Sequence, residues 1–206
     1  MKHAKPLLTA LALLTAPALM AQTAPLPKAE AQAVVTKFTN HIEALPATAG
    51  RFAQTNPDGQ TVTGTFYLWR PGRLRFEYDN QPLLVVADGH NVKVQDQEMG
   101  TLDTYPIGMT PLKLLLDKDI RLDTHAEITQ VVQDKGTTLI SAKDAKGEAD
   151  GSITLRFDRK TQQLLGWVIR DGQGQLTTVQ LSQLRTAKLD PDLFKLREAK
   201  RPYRSR

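Results

Sequence analysis

Apolar and polar residues alternate with a period of two along most of this chain, and two stretches break that rhythm. The first lies at 28–45, where Val34, Val35, Phe38, Ile42 and Leu45 recur at helical spacing with Lys37, Asn40 and Glu43 between them, which predicts one amphipathic helix. From about residue 48 the alternation takes over. Over 61–69, Val62, Gly64, Phe66 and Leu68 share one face, and Thr61, Thr63, Thr65, Tyr67 and Trp69 share the other. Over 73–78, Leu74, Phe76 and Tyr78 oppose Arg73, Arg75 and Glu77, so the arginines are expected to face water. Similar strands are predicted at 83–87, 91–96, 125–133, 136–142, 152–158, 163–170 and 175–184.

Turn chemistry separates many of these segments: Pro57-Asp58-Gly59, Asp88-Gly89, Lys135-Gly136, and Asp171-Gly172 with Gly174. The second interruption is GMTPLKLLLDK at 108–118, with Thr110 as expected N-cap, Pro111 at the first helical position, and Leu112, Leu115 and Leu116 on one side. The pattern is therefore mainly β, an antiparallel meander of about 10–11 strands, and a sheet of that size tends to curl. Its concave side has to be filled or covered, and the two amphipathic helices are the covers available.

The first residues carry a different signal. Lys2 and Lys5 precede an apolar run, Leu7 to Leu14, far shorter than a membrane span, as in a secretory signal peptide; cleavage is expected after Ala21. That leaves 22–206 as a single exported domain, large enough to bury a core without staples. The chain has no cysteine, so no disulfide braces it and no lipid can be attached through one. The formal charge of +5 divides unevenly. Lys2 and Lys5 leave with the signal, and six basic residues against Glu198 give the tail at 195–206 a local +5, which leaves residues 22–194 at −2. A basic tail without interleaved aromatics, on an exported chain, argues against nucleic acid and allows contact with anionic headgroups.

Candidates for catalysis are weak. His41, His90 and His125 show no metal-ligand spacing, and Ser141, Ser152 and Ser182 sit in or beside strands with no Gly-x-Ser-x-Gly elbow. Asp117 with Asp119, and Asp190 with Asp192, read as solvated or capping pairs, and Gly172-Gln173-Gly174 reads as a hairpin. A binding protein without cofactor or metal is expected in place of an enzyme, with a hydrolase as the alternative from another class. A transmembrane barrel is disfavoured because the second face of most strands carries Arg, Glu, Asp, Lys or Gln.

Five runs, in this order, resemble the periplasmic lipoprotein carrier family (LolA): GRFAQ at 50–54, GTFYLWRPGRLRFEY at 64–78, the segment from Pro82 to Val92, TPLKLLL at 110–116 and LDPDLF at 189–194. The resemblance implies an unclosed β-barrel with a helical lid over a hydrophobic cavity that takes up lipoprotein acyl chains. It also implies a soluble, monomeric periplasmic chaperone with acylated lipoprotein as cargo. An inner-membrane ATP-driven releasing complex would load it, and an outer-membrane receptor lipoprotein would unload it. Arg70 matches an arginine that holds the lid closed through lid carbonyls, Leu112 and Leu115 match apolar positions of the lid helix, and Phe76 stands where the family often has a cavity-lining tryptophan. Together with the alternation, this makes Phe38, Ile42, Phe66, Leu68, Leu74, Phe76, Leu112 and Leu115 the expected acyl-chain lining. The basic C-terminal tail replaces the family's further short strand. The same architecture also suits a carrier or sensor of other lipids or glycolipids.

Overall fold

The computed structural model describes residues 24–118 and 126–196. The proposed signal peptide, His125 and nearly all of the basic tail lie outside them. Helix α1 (Lys28–Glu43) is followed by β1 (Thr48–Thr55), β2 (Thr61–Trp69), β3 (Arg73–Tyr78), β4 (Leu83–Asp88), β5 (Asn91–Asp96) and β6 (Thr101–Pro106). A 3-10 turn (Ile107–Met109) and the short helix α2 (Lys113–Leu116) interrupt the strands. Then come β7 (Ala126–Gln133), β8 (Thr137–Asp144), β9 (Ser152–Asp158), β10 (Leu164–Arg170) and β11 (Leu176–Thr186), and a second 3-10 turn (Pro191–Phe194).

The strands form one sheet in the order β6-β5-β4-β3-β2-β1-β11-β10-β9-β8-β7, with each described pairing antiparallel. Two meanders are thus joined where β1 pairs with β11, and β6 and β7 are the outermost strands. This is the unclosed barrel of the expected class. Leu26, just ahead of α1, donates its N–H to the Val131 carbonyl at 2.8 Å, which fastens the start of the helix to β7.

Helix α1 lies on the concave side because its stripe is apolar: Val35, Phe38 and Ile42 are buried there. Phe38 packs on Phe157 of β9 with ring centroids 4.5 Å apart, and Phe66, Phe76 and Trp167 meet pairwise at 5.4–6.1 Å. The convex side is covered in one place. The chain after β11 crosses over β3 and β4, where Phe194 is buried and lies 6.2 Å from Trp69.

Three expectations are corrected here. Arg75 does not face water: its Nη1 donates to the Leu193 carbonyl at 3.0 Å under the C-terminal crossing, and its side chain is only 13% exposed. The Arg73 guanidinium carbon lies over the Trp69 ring, 4.7 Å from its centroid. The predicted 108–118 helix is reduced to a 3-10 turn and four helical residues, and the Thr110 hydroxyl donates back to the Ile107 carbonyl instead of capping α2. Nine strands were assigned bounds, β1 was covered only by the onset of alternation at about residue 48, and β6 had no position because all six of its residues are exposed, leaving no buried face to create alternation.

Candidate functional site

The two helices end at one side chain. At the turn between β2 and β3, Arg70 donates through Nη1 to the Ile42 carbonyl at 2.9 Å, through Nε to the Leu115 carbonyl at 3.0 Å, and through Nη2 to the Asp117 carbonyl. The Ile42 and Leu115 acceptors lie in the last turns of α1 and α2, where carbonyls lack partners within their own helices, and the Asp117 carbonyl belongs to the residue that ends α2. A guanidinium suits them because its donors fan out in a rigid plane and it remains charged when partly buried. Burial lowers its pKa, and the nearby carboxylates of Glu43 and Asp117 oppose that shift. The Gly72 N–H adds a bond to the Leu116 carbonyl at 2.8 Å, so the same turn engages three successive carbonyls, those of Leu115 and Leu116 in α2 and of Asp117 just after it. Gly72 has φ +74° and a Cβ there would stand 2.8 Å from Gly89, so a larger residue would push apart the tips of the β2–β3 and β4–β5 hairpins.

The opposite end of α2 is tied elsewhere. Lys113 Nζ lies 3.2 Å from Asp144 Oδ1 on β8 and 3.2 Å from Glu148 Oε2 in the following turn.

Beneath the C-terminal end of α1 the interior opens to solvent through a cavity of about 290 Å³. Its walls are Leu45, Phe66, Leu68, Leu164, Leu181 and Leu184, and His41, Thr161, Gln163 and Arg185 stand among the polar residues that line it. Of the residues named from sequence, Phe66 and Leu68 line this opening. Phe38, Ile42, Leu74, Phe76 and Leu115 are buried in the adjoining core, and Leu112 packs half-buried against it. Leu164 and Trp167 were missed. Both point inward because a bulge between Leu164 and Gly166 shifts the register, opposing Leu164 to Phe157 and Trp167 to Leu155. A strict period of two puts these residues on opposite faces and conceals them.

Among the described residues no cluster of three or more His, Asp or Glu could hold a metal, and no helix is long and apolar enough to cross a membrane.

The family model for the outer membrane lipoprotein carrier protein LolA matches residues 43–197. An outer-membrane lipoprotein carrier protein of Methylococcus capsulatus is 28% identical over 172 residues, covering 79% of this chain and 81% of the relative. One from Methylobacillus flagellatus is 30% identical over 132 residues, covering 61% and 63% respectively. The crystal structure of the LolA superfamily protein NE2245 from Nitrosomonas europaea aligns with a TM-score of 0.47 at 9% identity, covering 81% of this chain and 97% of that one.

Proposed function

This chain belongs to the outer membrane lipoprotein carrier (LolA) family, and from that premise we propose that it is a periplasmic chaperone that shields the acyl chains of lipoproteins between the inner and outer membranes. It acts as a carrier and not as an enzyme. Residues 1–21 direct export, and 22–206 form the carrier domain. The inner-membrane ATP-driven releasing complex loads it and an outer-membrane receptor lipoprotein unloads it. Acyl chains enter where Phe66 and Leu68 line the cavity, and displacement of α1 and α2 extends that space to Phe38, Ile42, Leu74, Phe76, Leu112 and Leu115.

The observation that carries this reading is the Arg70 node, which fastens both covering helices over an apolar interior through three main-chain carbonyls. Such bonds can be exchanged for water at modest cost, because even a hydrogen bond from a charged donor contributes only about 1.5–3 kcal/mol net. Closure therefore competes with cargo: each bond that favours the closed lid lowers the affinity for an acyl chain that holds it open. Replacing Arg70 by Leu removes the donors and leaves the Ile42, Leu115 and Asp117 carbonyls without this partner in the closed state. The variant should fold, accept lipoprotein, and release it to the receptor at least about tenfold more slowly, as a loss of ~1.4 kcal/mol or more from the closed state requires. Release at the wild-type rate from a folded, loaded Arg70→Leu protein would refute the assigned role.

A further inference from the structure

Resting on the reading of α2 as a lid, we propose that Lys113 is its second fastener, a positioning residue whose detachment from Asp144 is required for the lid to open. The two attachments hold opposite ends of one short helix to distant parts of the sheet. The C-terminal carbonyls of α2 are bound at the β2–β3 turn by Arg70 and Gly72. Its first residue, Lys113, is bound to β8 by Asp144. Four strands lie between β2 and β8 in the sheet, so α2 is a brace across the concave side. Releasing the Arg70 and Gly72 bonds frees one end and leaves the helix anchored at the other.

The socket at Asp144 is built to survive departure of the lysine. Asp144 Oδ2 accepts the Glu148 N–H at 2.8 Å and the Ala149 N–H at 3.2 Å, while Oδ1 faces Lys113. With its side chain 1% exposed, this carboxylate would be destabilised if it were stranded, but the two backbone donors remain when the ammonium leaves. Lys113 itself reaches the socket on a flexible stem from the surface of α2 and regains full hydration on leaving. Glu148, with its side chain 57% exposed, offers the ammonium an intermediate partner at the rim. Burial opposes the charge on both Lys113 and Asp144, yet hydrogen bonds prevail: those to Asp144 and Glu148 hold the Lys113 pKa above its usual value, and those from the Glu148 N–H, Lys113 and the Ala149 N–H hold the Asp144 pKa below its own. The pair is therefore ionised at neutral pH and breaks by separation, not by proton transfer.

The test compares Lys113→Met, Lys113→Arg and Asp144→Asn in the mature protein. Asn retains a side-chain oxygen for the Glu148 and Ala149 amides and loses the charge. Two readouts are taken: hydrogen exchange at the amides of Leu114, Leu115 and Leu116, and the uptake rate of a fluorescent palmitoyl probe. Lys113→Met and Asp144→Asn should each accelerate exchange and uptake roughly three- to tenfold, the range open to a partly buried ion pair, with melting temperatures close to wild type. Lys113→Arg should restore both rates. Unchanged α2 exchange in Lys113→Met, or an arginine variant as fast as the methionine one, would overturn the proposal. If the wild-type protein takes up no probe, the carrier reading fails, and the exchange data still decide whether the fastener exists.

Discussion

Arg70 and Arg75 leave the same pair of strands and do opposite things. Arg70 reaches the covering helices on the concave side, whereas Arg75 is trapped on the convex side beneath Leu193. What traps it is Phe194, 2% exposed, which inserts beside Trp69 while Pro191 and Asp190 set the tight turn: the Asp190 carboxylate accepts the Asp192 N–H. A four-residue turn has too few internal bonds to hold itself in place, so the aromatic ring is its anchor. Phe194→Ala should therefore lower stability by about 3–5 kcal/mol in chemical denaturation, as for other buried phenylalanines. Uptake of an acyl probe on the concave side should persist below the midpoint. A loss of less than ~1 kcal/mol would show that the crossing is held by Arg75 and the backbone instead.

At the scale of elements, β2 packs against its neighbours at one position where a side chain would not fit. A Cβ on Gly64 in β2 would lie 2.1 Å from the Glu77 carbonyl oxygen and 2.4 Å from Phe52, distances that backbone cannot yield without moving β3. Gly64→Ala should therefore cost about 1–3 kcal/mol and lower the melting temperature, although alanine has the better intrinsic strand-forming backbone. A melting temperature equal to or above wild type would mean that β2 and β3 can separate there without penalty. These elements also divide what is legible in sequence from what is not. Helix α1 and the strands with one buried face can be read because burial on one side imposes a period. Strand β6 cannot, since its outermost position exposes Leu102 and Tyr105 along with its polar residues. Leu164 and Trp167 are hidden by a one-residue bulge. Arg70 can be singled out only through resemblance, because its partners are main-chain carbonyls at 42, 115 and 117 that no residue type announces. Lys113 and Asp144, 31 positions apart, follow no local spacing rule at all.

For the molecule as a whole, energy and volume together limit what it can carry. One acyl chain of about 15 methylenes would contribute ~12 kcal/mol if fully buried, and three would contribute ~36 kcal/mol. Non-covalent binding saturates near 18–21 kcal/mol, so a carrier that buried all three completely would exceed any known affinity and could not release its cargo. The closed interior, opening by about 290 Å³, lies at the lower end of the roughly 300–1,000 Å³ seen for small-ligand pockets. Because α2 is tied at its ends and β6 and β7 are not joined, the space grows either by displacing the covering helices or by spreading the sheet. Entry breaks the closure bonds and parts the Phe38–Phe157 contact between α1 and β9, and each further chain then has to disturb contacts within the sheet such as Phe66–Trp167. Lipopeptides with one, two and three chains, ranked by competition against a common probe, should bind with diminishing increments. The step from two chains to three should be no more than about a hundredfold, ~2.7 kcal/mol out of the ~12 available. An undiminished third increment would mean that the sheet opens far enough to engulf the whole anchor, and the proposed release by lid closure would fail.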